Sequence, residues 1–260
     1  MNGADWITHL GSRGVYHFTT DEAVSALGCS VLAARASLRR LKAKGAIASP
    51  HRGFHVIVPP EYRVLGCLPA AQFIPQLMAH LNQPYYAALL SAGSYHGASH
   101  QQPMVFQVMV AKNRRPIECG KVRVQFVARR NVEEMPVVKL TTDMGYIAVS
   151  SPEATAYDLA GYPNHAGGLS NVATVLRELA ESMTGERLAD LSRLSPRSWS
   201  QRLGYLLDRI GAVELAESLA GRCVDHNMPP TALVPAKPYD RHVLDTRWNL
   251  YVNDIVEPDI

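Results

Sequence analysis

Three short helical patterns, each closed by a glycine, fill the first forty-five residues, and an alternating segment follows at once. That order leaves few folds open. In "DWITHLGSRG" the pattern starts at Asp5 as N-cap, runs through Trp6, Ile7 and Leu10, and stops at glycine. "TTDEAVSALG" brings a threonine cap, acids in the first turn where the helix dipole favours them, then Ala23, Val24 and Leu27 ahead of Gly28. The third, "SVLAARASLRRLKAKG", is the longest, with Ser30 as cap and Gly45 as stop. "AIASPHRGFHVIVPP" then alternates about "PHRG", the pattern of a β-hairpin with a basic tip. Three short helices and a hairpin are the order of a winged helix-turn-helix.

Charge points the same way. Residues 1–60 carry seven Lys and Arg against three acids, which puts +4 on this segment of a chain whose net charge is +3. An acidic partner, nucleic acid above all, suits that asymmetry. In the third helix Val31, Ala34, Leu38 and Leu41 form one stripe fit to face a core. Ala33, Ala36, Arg39, Arg40 and Ala43 lie opposite, flanked by Ser30, Ser37 and Lys44, and no acid occurs from Ser30 to Lys44. A solvated helix face usually mixes Glu among its cations and gains i,i+4 pairs. Small side chains beside long cationic ones instead suit a helix that enters a major groove. The candidate DNA contacts are Ser30, Arg35, Ser37, Arg39, Arg40 and Lys44, with His51 and Arg52 at the hairpin tip. Arg40 and Ser37 are expected at base edges, and Arg35, Arg39, Lys44 and Arg52 mainly at phosphates.

After Pro59-Pro60 the character changes, so the expected organisation is a domain over 1–60 and a second over 61–260. Residues 61–103 read as mainly helical, with Pro69, Pro75 and Pro84 as punctuation. Residues 104–142 are rich in Val, Phe and Ile with turns at "NRRP" and "ECGK", and read as three or four strands. "SSPEATAYDLAGYP" opens a helix with Ser151 as N-cap, Pro152 in the first turn and Glu153 beside it. Residues 170–221 are helical and split near "LSPRSW", with Ser170 expected as a cap and Trp199, Leu203, Leu206 and Leu207 as one docking stripe. "RWNLYVNDIVEPDI" alternates like a final strand.

A second basic region spans 112–139, with eight cations against three acids. Arg114 and Arg115 stand at a turn, Lys121 and Arg123 alternate with apolar residues, and Arg129 and Arg130 follow. They read as a solvated strand face or as a further surface for nucleic acid. No catalytic residue, metal ligand set or cofactor is expected. His96 and His100 share i,i+4 spacing but lack the HExxH glutamate. Asp143, Glu153 and Asp158 do not form the acid–lysine pattern of a metal-dependent nuclease. No GxSxG elbow occurs, and "HAGGLSN" has the spacing of neither a P-loop nor a dinucleotide fingerprint. Cys29, Cys67, Cys119 and Cys223 lie far apart with no CxxC, as expected for buried free thiols in a reducing cytoplasm. No apolar run is long enough to cross a membrane.

Five strings in order carry a resemblance: "ASLRRLKAKGAIASPHRGFHVIVPPEYRVLGCLPA", "YYAALLSAGSYHGASHQQPMVFQVMV", "SPEATAYDLAGY", "RSWSQRLGYLLDRIG" and "RWNLYVNDIVEPD". Together they resemble the AbiEi antitoxin family. The resemblance implies an α+β chain, with an N-terminal winged helix-turn-helix domain followed by a larger mixed α/β antitoxin domain. It implies a non-enzymatic, cytoplasmic antitoxin from a two-gene toxin–antitoxin and abortive phage-infection system. Its partners would be a nucleotidyltransferase-like toxin, without a stable complex, and double-stranded DNA at inverted repeats in its own promoter. Arg35, Arg39, Arg40, Lys44 and Arg52 match the place where the family reads DNA. Two alternatives stand beside this reading: a DNA nuclease targeted by the winged helix, and an antitoxin that blocks its toxin by direct binding.

Overall fold

The computed structural model describes residues 2–98, 103–223, 229–241 and 243–258, apart from the side chains of residues 222 and 223. It is a mixed α and β chain that divides into two compact units. The first comprises residues 1–86, 104–132 and 139–148, and the second residues 87–103, 133–138 and 149–260. The expected boundary at residue 60 falls inside the first unit.

The first unit opens with α1 (Gly3–Ser12), β1 (His17–Thr19), α2 (Thr20–Leu27), α3 (Val31–Ala43), β2 (Ile47–His51) and β3 (Phe54–Ile57). Asn2 caps α1 by accepting from Ala4 N and Asp5 N, so Asp5 lies in the first turn instead of at the cap. Thr19 and Glu22 form a capping box at α2, and Gly28 closes that helix in the left-handed region at φ 57°. Ser30 caps α3. The alternating hairpin forms β2 and β3, joined by Arg52 and Gly53. β1 adds a third strand that the sequence reading missed, giving the order β1-β3-β2. Trp6, Ile7, Phe18, Ala23, Leu38, Leu41, Ile47 and Ile57 pack beneath it.

The other side of β2 and β3 builds a different core. Ala48, Phe54, Val56 and Val58 pack with Phe73, Ile74, Leu77 and Met78 of α4 (Ala70–His80) and with residues of later strands. Pro75 sits inside α4, where it was expected to end a segment. β4 (Tyr85–Ala87) was also missed, and α5 (Leu89–Tyr95) follows it. The expected strands are β5 (Phe106–Val110), β6 (Ile117–Cys119), β7 (Val122–Ala128), β8 (Val137–Thr142) and β9 (Gly145–Ser150). They join β4 in one sheet, ordered β6-β7-β5-β4-β9-β8. β5 and β7 are parallel, and β6 and β7 are an antiparallel hairpin that turns at Gly120.

The second unit is built on α6 (Pro152–Gly161), α7 (Leu169–Leu179), α8 (Gly185–Leu191), α9 (Arg197–Arg209) and α10 (Val213–Cys223). Ser151 caps α6 as expected. The cap of α7 is Gly168, two residues ahead of the expected Ser170, which lies inside the helix. The C-terminal segment is not one long strand. β10 (Thr231–Ala232), β11 (Leu244–Asp245) and β12 (Leu250–Tyr251) form a small sheet ordered β10-β12-β11. Trp248 is fully buried and its ring fills the place of a Cβ on Gly204 of α9, while its Nε1 donates to Asp208 at 2.6 Å. Arg202 is buried and donates to the carbonyls of Leu233 and Ala160.

Candidate nucleic-acid interface

The buried stripe of α3 is Ala34, Leu38 and Leu41, against α1, α2 and β2. Val31, expected in that stripe, is 46 % exposed because it lies in the first turn, ahead of the elements that cover the rest. Arg35, Arg39, Arg40, Lys42, Ala43 and Lys44 are exposed, as is Ala33. None of Arg35, Arg39, Arg40 and Lys44 forms an ion pair among the described residues. Four cations with no carboxylate to neutralise them leave the outer face of α3 with an uncompensated positive field.

Ser37 faces elsewhere. Its Oγ lies 2.6 Å from where a Cβ on Gly3 would sit, so it is half-buried at the crossing of α1 and α3. Gly3 is what permits that crossing. Ser30 is engaged as the cap, its Oγ accepting from Ala33 N at 3.3 Å. Leu32 is 81 % exposed on the same face as Ala36 and Arg39, an apolar contact the sequence reading passed over. Its spacing, four before Ala36 and seven before Arg39, was the available signal.

The hairpin tip is held against the start of α2, with Thr20 N donating to Gly53 O at 2.9 Å. Gly53 turns the chain at φ 79°, which favours glycine. His51 donates from Nδ1 to Arg52 O at 3.0 Å and Arg52 is exposed. Below the tip, His55 hydrogen-bonds Ser49 Oγ at 2.9 Å and Thr20 Oγ1 at 3.0 Å, tying β3 to β2 and α2. Burial pushes the imidazoles of His55 and His17 below their ordinary range; Lys42 adds to the first and Glu22 opposes the second.

Two clefts join these residues to others. One is lined by Arg35 of α3, Arg52 of the tip and Thr19, Thr20 and Asp21 at the start of α2. The next is lined by His51 and Arg52 together with Asn113, Arg114 and Arg115, which precede β6. Arg35, Arg52 and the 113–115 turn therefore follow one another along the surface of the first unit.

The second basic region otherwise breaks up. Arg129 is 3 % exposed, with its Nε donating to Asn131 Oδ1 at 3.1 Å, so it is no part of a surface. Arg114 is half-buried; it donates to Gln83 Oε1 at 2.7 Å and lies over the Phe126 ring. Arg123 stands opposite Glu118 across the β6–β7 pair, which balances its charge. Arg115, Lys121 and Arg130 are exposed.

Three of the acids and histidines weighed for chemistry, Asp143, Glu153 and His96, have hydrogen-bond partners within the fold. Asp143 accepts from Gln72 Nε2 at 2.9 Å in the first unit. Glu153, in the second, is buried and accepts from Ser151 Oγ and from Thr184 N, each at 3.1 Å. His96 donates from Nε2 to Ser150 O at 2.7 Å, while His100 lies outside the described residues. Among the described residues no three His, Cys, Asp or Glu side chains gather as a metal would require.

Comparison with known families places residues 86–209 on the AbiEi antitoxin C-terminal domain. This part of the chain is similar to the AbiEi antitoxin family. The AbiEi span begins in β4 and ends with α9, so the helices α6 to α9 and the sheet strands β5 to β9 lie within it. A comparison with curated protein sequences gave no match. Among solved structures, the RV2827C protein from Mycobacterium tuberculosis is similar in fold, with a TM-score of 0.69 at 20 % identity over 94 % of this chain and 89 % of that one. An antigenic nucleotidyltransferase-like protein from Paracoccidioides brasiliensis aligns with a TM-score of 0.42 at 9 % identity, over 61 % of this chain and 94 % of that one. Among the described residues, no helix is long and apolar enough to cross a membrane.

Proposed function

We propose that the chain is the antitoxin of a two-gene toxin–antitoxin system, acting in the cytoplasm by binding and not by chemistry. In this reading it neutralises a nucleotidyltransferase-like toxin and represses its own operon at inverted repeats in the promoter. The antitoxin half rests on the AbiEi match over residues 86–209. The DNA-binding half rests on one observation: the exposed face of α3 carries Arg35, Arg39, Arg40 and Lys44 with no carboxylate paired to them.

The order α1-β1-α2-α3-β2-β3, with a three-stranded sheet β1-β3-β2, supports reading this segment as a winged helix-turn-helix with α3 in a major groove. Arg39 and Arg40 would then reach base edges, bidentate on guanine where the sequence allows, with Leu32 and Ala36 against thymine methyls. Ser37, being turned to α1, drops from the base-contacting set. Arg35, Lys44 and wing Arg52 would grip phosphates, and Arg115 beside the wing tip would extend that grip along the duplex. Lys121 and Arg130 have no placement that ties them to the same path.

Two assays test the two halves. In the first, the chain is co-expressed with the toxin of the adjacent gene; restored growth supports the antitoxin role, and unrelieved arrest overturns it. In the second, a reporter follows the chain's own promoter. Repression by the wild type that is lost in an Arg39→Ala, Arg40→Ala variant supports the reading helix, whereas equal repression by both overturns it.

A further inference from the structure

The connection of residues 111–116, which joins β5 to β6, stands beside the wing tip and borders a cleft of about 560 Å³ in the first unit. Small-molecule sites occupy clefts of roughly 300–1,000 Å³, apolar for the most part with a few placed polar groups. The lining here divides in that way. Leu77, Ile117 and Phe126 are buried and give the cleft an apolar floor. Arg52 and Arg115 are exposed at its rim, and Arg114 is half-buried between floor and rim. No carboxylate is among the lining residues. None of the three arginines forms an ion pair among the described residues.

Arg114 is set in place by two contacts. Its Nη1 donates to Gln83 Oε1 at 2.7 Å, and its guanidinium lies over the Phe126 ring, 5.9 Å from the centroid. Gln83 is neutral, so the bond fixes the side chain and leaves its charge uncompensated. A guanidinium held in this way offers a plane on which an aromatic ring stacks and further N–H groups that donate to phosphate. Being ordered beforehand, it loses little rotamer freedom when a ligand arrives. A simple anion would satisfy the arginines and leave the apolar floor unused. An uncharged apolar ligand would fill the floor and leave three cations unanswered. A nucleotide has both parts, and three unpaired cations match a polyphosphate. Duplex DNA offers phosphates too, but its bases are stacked inside the helix and do not reach such a floor.

We propose that this cleft binds a free nucleoside triphosphate, with its base on Arg114 and the floor and its phosphates on Arg52 and Arg115, and that the bound ligand competes with operator DNA. The competition follows from position. Arg52 also lines the neighbouring cleft that holds Arg35 of α3. A triphosphate seated on Arg52 removes a grip assigned above to the DNA backbone and sets negative charge against that backbone. Binding stands on the cleft alone, whereas competition rests on the DNA reading given above.

Titration calorimetry of the full chain with ATP, in magnesium-free buffer without DNA, tests the site. One ATP should bind per chain. Inorganic tripolyphosphate lacks the stacking ring and AMP lacks the phosphate chain, so each should bind about tenfold more weakly. Arg115→Ala, a change at an exposed residue, should weaken ATP about tenfold. Lys121→Ala, exposed but outside the cleft, should bind ATP as the wild type does. Absence of ATP binding, equal binding of tripolyphosphate, or equal losses in the two variants overturns the nucleotide site. Equal binding of AMP overturns the assignment to a triphosphate. With operator DNA present, ATP at ten times its dissociation constant should weaken operator binding roughly tenfold. Operator binding unchanged in saturating ATP overturns the competition alone. A chain that binds ATP and no operator DNA overturns the DNA reading and leaves the nucleotide site standing.

Discussion

Arg40 and Lys44 are four residues apart on one helix, yet they should behave differently when removed. Arg40 projects from the middle of the exposed face and is assigned to a base edge, so Arg40→Ala should cost about 1–3 kcal/mol in operator binding and relax sequence preference. Lys44 is at the end of α3 and is assigned to phosphate, so Lys44→Ala should weaken all sequences alike and flatten the salt dependence by about one unit. Titrations on operator and scrambled duplexes separate the two. His17 and His55 give a second prediction. Burial lowers both in the folded chain, whereas unfolded they titrate near 6.5. Above that value both states are neutral and nothing changes. As pH falls below 6.5 the unfolded chain takes up protons that the folded one resists, so stability is lost down to the lowered folded values. Melting between pH 8 and pH 5 should show that acid-side loss, reduced in a His17→Phe variant. The caps at Ser30, Thr19 and Ser151 were legible because they are local: a hydroxyl bonds an amide three residues on. Ser37, Arg129 and Arg202 were not, because what covers them comes from Gly3, Asn131 and Leu233, which sequence proximity does not reveal for the first and last.

Among elements, the helices were legible from their apolar spacing, and the short strands β1, β4, β10, β11 and β12 were not. β1 has three residues and its partner β3 lies some thirty-five residues on, so neither length nor periodicity announces it. β10, β11 and β12 have two residues each, and the tail that alternated like one strand folds back through them. α9 shows how much depends on one small side chain. Gly204 has no Cβ, and the Trp248 ring occupies its place. A Gly204→Ala change must push that indole out and strain its bond to Asp208, and overpacking of this kind costs about 1–3 kcal/mol. Thermal melting of the variant should show a lower Tm with α3-dependent DNA binding intact. An unchanged Tm would mean the tail does not dock on α9 as described.

For the whole molecule, the two sides of the wing sheet matter more than the sequence suggested. Pro59-Pro60 marked a boundary by composition, but Phe54, Val56 and Val58 face a core completed by Phe73, Leu77 and Phe126. A fragment of residues 1–60 would expose those three, at roughly 1.5–3 kcal/mol for each buried side chain left in water. It should therefore give poorly dispersed amide resonances where the full chain is folded. This tests whether the elements α1 to β3 are stable alone. The proposed DNA binding stands on α3, and the most direct measurement is binding of the purified chain to its own upstream DNA against a scrambled duplex at two salt concentrations. The expected result is a specific complex that weakens steeply with salt and is lost in the Arg39→Ala, Arg40→Ala double variant. Equal and feeble binding to both duplexes, unchanged in that variant, would contradict it and return the basic face of α3 to solvent.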